Sequence, residues 1–496
     1  MLKKLDNIFF SENGNKFLLP FSLVFIFILS IPFFQADPDA FISTSRDAFT
    51  DEGLNTSQIR NWVLTGELNT SECDNFIKTP LFQLYMGLGF SIFGISLLKA
   101  RLWAFLANII FISLAYNRSI QYKKIFLFAA FISTFNYIGF QYLHFSMAES
   151  MASTATLWAL AEFFRASYIP KQNIKKWIIP ALAIWIVIAL KNQFMYMLGV
   201  YFLWIVWHTI KERKLDSTFK LYQPFIPLFC GAIAYTLLVY LPMKESYDFI
   251  MQHQTSGRWV PSNDVWNEVK ENFKTTLFAN YPRFNIFLMF LGSIIGLIYL
   301  PKNFKNPLLL LLLFFLSWVA LEMHKFGIRF TPTRYIVPTI WAISGTLAVI
   351  IFLLRRSLTN EKYGIVFIIW ILSSFVIPYK NLLENRTWNI KLGNEITRDL
   401  AAQSNVEYVI GPWGPGLSWE TNKKSVPVWK NFLNGTDFQE KYQNAIIISE
   451  FDQEDNESAF AEAGILVPNY SLLIDSITIR NKKIYIQTPI SSSLEQ

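Results

Sequence analysis

Charge is what this sequence has least of. Acids and bases make up only 16% of its 496 residues, against 52% hydrophobic, and the mean hydropathy is +0.30. Soluble chains carry roughly 25% charged residues, so the shortage excludes an ordinary water-soluble domain and points to lipid as the solvent. Cysteine is nearly missing: Cys73 in a polar stretch and Cys230 in an apolar run make neither a disulfide framework nor a zinc-type spacing. The histidines (His144, His208, His253 and His324) are too scattered for a ligand cluster. Gly411 to Gly416 does not keep the GxGxxG spacing and gives no phosphate-binding loop. No soluble repeat or low-complexity segment is present. The net charge of +8 comes from short Lys and Arg clusters between apolar runs. That placement sets membrane topology and excludes a nucleic-acid-binding stripe.

What the chain does have is aromatic side chains and long apolar runs. Phe 47, Tyr 21 and Trp 16 suit both hydrocarbon and the interface. A span needs about 20 apolar residues, and the candidates are Phe17–Phe34, Pro80–Leu98, Leu102–Tyr116, Ile125–Tyr142, Met147–Phe164, Trp177–Leu190, Phe194–Trp207, Tyr222–Leu241, Phe284–Leu300, Pro307–Leu321, Ile336–Leu354 and Ile365–Ile377. The first, after the basic start MLKKLDN, reads as an uncleaved span because it lacks a small-x-small cleavage site. Lys and Arg clusters at 171–176, 211–214, 302–305 and 355–362 mark cytoplasmic loops. The alternate loops face out, including 36–78, the region of Glu149, the Lys191 turn and everything after Tyr379. Lys78 and Glu149 then lie on one side with three apolar runs between them, which requires an even number of crossings. A hidden crossing, with Lys123–Met147 broken near Asn136 and Gly139, gives about 13 spans instead of 12.

The tail changes character. After Tyr379 it is polar, with a helix-like run (Asn394–Ser404) and β-like runs at Val406–Ile410, Ala445–Ser449 and Ile484–Thr488. The expected architecture is therefore an α-helical polytopic membrane protein with a C-terminal extracytoplasmic α/β domain. Residues 1–378 form a multi-span catalytic domain with an outer loop at 36–78, and residues 379–496 form the outer domain.

Against the apolar body, a few charged residues stand out at one boundary. Asp51 and Glu52 lie in the first polar loop, ahead of a helical-looking run from Gly53 to Leu68. Solvated carboxylates at a helix start would explain them equally well. Glu149 heads an apolar span with no basic residue within a helical turn, and acids in such places are functional by default. Lys78 opens the second span, Lys191 interrupts IVIALKNQFMYML, and Arg334-Tyr335 stands at the mouth of a later span. Lys191 reads either as a snorkelling residue or as a phosphate ligand. His253, Arg258, His324 and Arg329 could complete a polar pocket, each being equally at home on a loop surface. Acids for an acceptor and cations for a phosphate, at one membrane face, fit transfer from a lipid-phosphate sugar. An acid would act as general base, cations would stabilise the departing phosphate, and single displacement would invert the anomeric centre.

In this order the residues resemble a known pattern. The Asp51-Glu52 pair, the Lys78-x-Pro80-Leu81 opening, Phe93-Gly-Ile-Ser96 with Ala100-Arg101-Leu102, then Glu149, Lys191 and Arg334-Tyr335, are similar to the GT-C membrane glycosyltransferases. The likeness is to the bacterial group related to protein O-mannosyltransferases and the aminoarabinose transferase of lipid A. The resemblance covers roughly Phe17 to Leu354. It implies a polyprenyl-phosphate sugar donor, periplasmic chemistry in the inner (plasma) membrane, Asp51 as base near the acceptor, and Lys78 and Lys191 on the donor phosphate. The acceptor would be a lipid, a polysaccharide or a protein. No cofactor is required by the pattern, and a divalent cation is left open. Relatives usually have Asp where Glu149 stands, and some carry an arginine where Leu54 stands, so one phosphate contact is either missing or supplied by Arg60 or Arg329. A transporter or flippase of lipid-linked sugars is the alternative, but it predicts charges near mid-membrane and inverted repeats, which are not evident. A scaffold whose outer domain binds a partner leaves Glu149 and Lys191 unexplained.

Overall fold

The computed structural model describes residues 15–39, 47–70, 72–168, 174–213, 222–252, 264–300, 308–329, 331–354, 369–428, 441–442, 444–450, 471–479 and 482–489. His253 and Arg258 lie outside these residues. Long apolar helices dominate: α1 (Asn15–Ser30), α2 (Asp47–Thr65), α3 (Pro80–Phe93), α4 (Leu97–Arg118), α5 (Lys123–Thr134), α6 (Tyr137–His144), α7 (Ala148–Tyr168), α8 (Lys175–Leu190), α9 (Met197–Arg213), α10 (Tyr222–Tyr235), α11 (Val265–Leu277), α12 (Tyr281–Ile298), α13 (Leu308–Glu322) and α14 (Val337–Leu354), then α15 (Ile377–Asn385) and α16 (Asn389–Gln403). Among the described residues five helices are long and apolar enough to cross a membrane, or six if the bent pair α5–α6 counts as one. The chain is a multi-pass helical membrane protein.

The outward aliphatic surface follows from the solvent. Phe17, Leu238, Ile298 and Tyr299 are largely exposed in the protein alone, as expected of side chains that face lipid. Small residues and Thr or Ser fill the inner faces: Ala148, Ala152, Ala155 and Ala159 of α7 are all fully buried, which lets helices approach closely.

Between Lys78 and Glu149 the chain meets its parity requirement without the extra crossing the sequence suggests. Helix α3 lies beside α2: Gln83 Nε2 donates to Asn55 O at 2.5 Å, and a Cβ on Gly87 would fall 2.7 Å from the Ile59 side chain. Farther along α3, Phe90 packs on Trp419 of the tail at 6.1 Å between rings. At 14 residues, α3 is about 21 Å long and too short for an easy span. Contacts at both its ends keep it on the face that carries α2. The break near Asn136 is where the sequence places it: α5 and α6 meet at 95°. The Asn136 side chain caps α6, accepting from Ile138 N and Gly139 N at 3.1 and 3.2 Å. Gly139 is required there, since a Cβ would fall 2.1 Å from Ser133 O. Helix α4 therefore leaves the α2 face, and the bent pair brings the chain back to it.

The tail forms a five-stranded sheet of β1 (Tyr408–Ile410), β2 (Lys424–Val426), β3 (Ala445–Ser449), β4 (Ser471–Ile479) and β5 (Lys482–Pro489), in the order β2-β1-β3-β5-β4. The β1 pairings are parallel, and β5 runs antiparallel to β3 and β4. Helix α2 is the joint between this sheet and the membrane helices. Arg60 Nη2 donates to Ser418 O at 2.7 Å and Thr421 O at 2.9 Å, while Asn61 exchanges two 2.9 Å hydrogen bonds with the Ser425 backbone. Burial draws the Arg60 guanidinium down to about 10. From the preceding segment Asp37 caps α16, accepting from Asn389 N at 2.9 Å and Ile390 N at 2.8 Å, where the helix has unpaired amides. The glycine-rich turn at 411–416 receives α2 so closely that a Cβ on Gly53 would lie 2.3 Å from Pro415 C and 2.4 Å from Gly416 N.

Replacing Gly53 with Ala forces backbone apart at this joint. The variant should lose about 1–3 kcal/mol of stability, the usual cost of overpacking, read as a lower melting temperature in detergent. An unchanged melting temperature would contradict the close approach.

Candidate active site

Four chain segments end at one point. Asp51 lies in the early turns of α2, Glu149 in the first turn of α7, Lys191 at the C-cap of α8, and Arg334 in the short helical turn Thr333–Ile336 that leads into α14. The placements suit the helix dipoles, with acids near helix starts and an ammonium at a helix end. Arg334 pairs with Asp51 through Nη1 and with Glu149 Oε1 through Nε at 3.3 Å. Lys191 Nζ reaches the same Glu149 oxygen at 2.9 Å. Glu149 Oε1 thus sits between two cations, while Oε2, equally buried, has no hydrogen-bond partner. Asp51, Glu149 and Lys191 are each at most 5% exposed.

The structure brings together four of the residues singled out in the sequence: Asp51, Glu149, Lys191 and Arg334. Tyr335 follows Arg334 with its ring 5.2 Å from the guanidinium carbon. Lys78 stands at the rim: it pairs with Asp74 and is about a third exposed, and the preceding Ile77 carbonyl accepts from Asn192 of the Lys191 turn at 2.5 Å. The expectations for the loop residues fare differently. Arg329 lines a cavity of about 250 Å³ with Asp264, Asn267, Glu268 and Glu271. His324 is exposed, with Nδ1 2.5 Å from Leu321 O. Arg60 is committed to the tail. The guanidinium that pairs with Asp51 is that of Arg334.

Glu52 differs from its neighbour. Its carboxylate takes Arg101 Nε at 3.0 Å to both oxygens and Nη2 at 2.5 Å, and accepts Ser146 N at 2.9 Å and Ser146 Oγ at 3.2 Å. Arg101, fully buried, also donates to Phe33 O at 3.1 Å and Ala36 O at 2.7 Å, satisfying carbonyls just past α1. With its lone pairs taken, Glu52 clamps α2 to α4 and α7 and leaves Asp51 as the carboxylate turned to the cluster. Arg101 appears in the sequence pattern, but nothing there marks it as the partner of Glu52.

A second buried network went unread in the sequence. Glu322, fully buried at the end of α13, accepts from Tyr196 OH, from Lys325 Nζ at 2.5 Å and from Thr339 Oγ1 at 3.1 Å. Its i,i+3 pairing with Lys325 beside an apolar run was the available signal. At the opposite ends of α4 and α7, Arg118 and Arg165 pair with Glu162. Glu162 is thirteen residues beyond Glu149 on α7, or about 20 Å away, so the two acid clusters mark opposite ends of the helix bundle. Among the described residues no group of three or more His, Cys, Asp or Glu side chains could hold a metal ion. The divalent cation left open by the sequence finds no ligand set among them.

Arg101→Ala would leave the Glu52 carboxylate buried and unpaired, a change that costs about 3–5 kcal/mol. Thermal unfolding should show that loss, with Glu52→Leu/Arg101→Met recovering much of it; a neutral Arg101→Ala would contradict the clamp.

The sequence matches no protein-family description and no curated protein. Among solved structures, ArnT from Cupriavidus metallidurans bound to undecaprenyl phosphate superposes with a TM-score of 0.63 at 13% identity, over 97% of this chain and 99% of that one. The Archaeoglobus fulgidus oligosaccharyltransferase in complex with zinc and sulfate gives a looser 0.49 at 12% identity, over 94% of this chain and 72% of that one. The architecture expected from the sequence holds at the level of fold: over 97% of its length the chain has the fold of ArnT.

Proposed function

We propose that the chain is an inverting glycosyltransferase that moves a sugar from a polyprenyl-phosphate donor to an acceptor at the periplasmic face of the inner membrane. The observation that carries this reading is the linked cluster of Asp51, Arg334, Glu149 and Lys191. A carboxylate able to accept a proton lies there beside two cations of the kind that bind phosphate, which supports the reading. The ArnT structure with a similar fold is bound to undecaprenyl phosphate, which supports a lipid phosphate as the group these cations meet.

In the reaction an acceptor hydroxyl or amine attacks the anomeric carbon and gives its proton to Asp51. The bond between that carbon and the phosphate oxygen breaks, and polyprenyl phosphate leaves with the electron pair. Lys191 and Arg334 take the charge that develops on the phosphate, with Lys78 at the rim and Tyr335 beside Arg334. Glu149 holds the two cations at one separation, and Glu52 holds the helix that carries Asp51. Before the donor arrives, Arg334 neutralises Asp51. A phosphate sharing that guanidinium would release the carboxylate to act as base. Residues 1–378 carry the catalysis, and residues 379–496 form an outer domain that α2 ties to the site.

Asp51→Asn should abolish transfer from radiolabelled undecaprenyl-phosphate sugar while the protein remains folded and binds donor; full activity would reject the base assignment. Lys191→Ala should raise the donor concentration needed for half-maximal rate, and unchanged donor kinetics would reject its phosphate role.

A further inference from the structure

We propose that Glu322 and Tyr196 are positioning residues that fix the spacing of the two site cations, although neither touches the reacting groups. The inference rests on the function proposed above. Lys191 and Arg334 come from different turns, Lys191 opening Asn192–Tyr196 and Arg334 lying within Thr333–Ile336. For both to meet one phosphate, these turns must be held in register.

Glu322 does this from the side away from Asp51. Through Oε1 it holds the Tyr196 hydroxyl, at the far end of the Lys191 turn. Through Oε2 it holds Thr339 Oγ1 at 3.1 Å, in the first turn of α14, just after the Arg334 turn. Lys325, bound to Oε2 at 2.5 Å, donates also to Tyr335 O at 3.2 Å. Its ammonium lies 5.8 Å from the ring centres of Phe194 and Tyr196. Phe194 N in turn donates to Lys191 O at 2.9 Å. A single carboxylate with its lysine thereby joins both cation-bearing turns.

Stability alone would not select such an arrangement. A fully buried ion pair is no better than well-packed apolar side chains. An acid at a helix C-terminus also works against the dipole. A charge buried in a membrane protein calls for a role, and the contacts made here define one. The cations meet at Glu149 on one side and are joined through Glu322 on the other, so their separation is fixed at two points.

The test uses the full chain in detergent with undecaprenyl phosphate as probe. Tyr196→Phe removes only the hydroxyl that ties the Lys191 turn, and Glu322→Gln keeps the shape of the carboxylate without its charge. Each should weaken binding about tenfold, the effect of misplacing one charge-assisted contact. The Tyr196→Phe effect should disappear in a Lys191→Ala background, because it acts through Lys191. Melting temperatures report folding, and Lys380→Ala, at an exposed residue paired with Glu384, serves as a surface control whose binding should stay unchanged. Wild-type affinity in a folded Tyr196→Phe variant, or a loss that persists without Lys191, would overturn the inference while leaving the proposed function intact. If the wild-type chain does not bind undecaprenyl phosphate, the proposed function falls and this inference with it.

Discussion

The structure depends most on one buried carboxylate oxygen. Glu149 Oε1 receives Lys191 at 2.9 Å and Arg334 at 3.3 Å, and Arg334 carries the link on to Asp51. These residues come from four separate stretches of chain, so the fold must bring four segment ends to one point. An isolated charge would be costly there. Asp51 and Glu149 balance Lys191 and Arg334, and the charged cluster is neutral as a whole. Neutrality makes it tolerable at the end of an apolar bundle. Under the proposed function, an incoming phosphate would draw these cations away from the carboxylates and so couple its binding to exposure of a base.

The surrounding architecture keeps that point fixed. From the membrane side, Arg101 grips Glu52 and the carbonyls past α1. From the outer side, Arg60, Asn61 and the close approach at Gly53 bind α2 to the sheet domain. Asp51 thus lies on a helix held at both faces, the rigidity that the proposed role as base would require. Among the described residues the C-terminal sheet supplies no charged residue to the cluster; its contribution is the surface against which α2 rests.

Much of this could be read from the sequence because lipid makes charge conspicuous. Glu149 and Lys191 interrupt apolar runs, and Arg334 stands at the mouth of another, so burial could be inferred before any contact was known. Asn136 and Gly139 likewise announced the break between α5 and α6. Pairings were harder. Nothing in one dimension distinguishes Asp51, which faces the cluster, from Glu52, which is saturated by Arg101; a helix simply points adjacent side chains in different directions. Apolar content misled at α3, whose residues suit a span but whose length and Gln83 hold it against α2. Glu322 and Lys325 stayed hidden because an i,i+3 acid–base pair usually lies on a solvated face. Strands β2 and β4 carried too little signal beside the β-like runs that became β1, β3 and β5.

A structure of the chain with undecaprenyl phosphate bound tests the central claim most directly. The account predicts the phosphate within hydrogen-bond distance of both Lys191 and Arg334, with Arg334 drawn away from Asp51. A phosphate bound elsewhere, with the Asp51–Arg334–Glu149–Lys191 linkage unchanged, would contradict it.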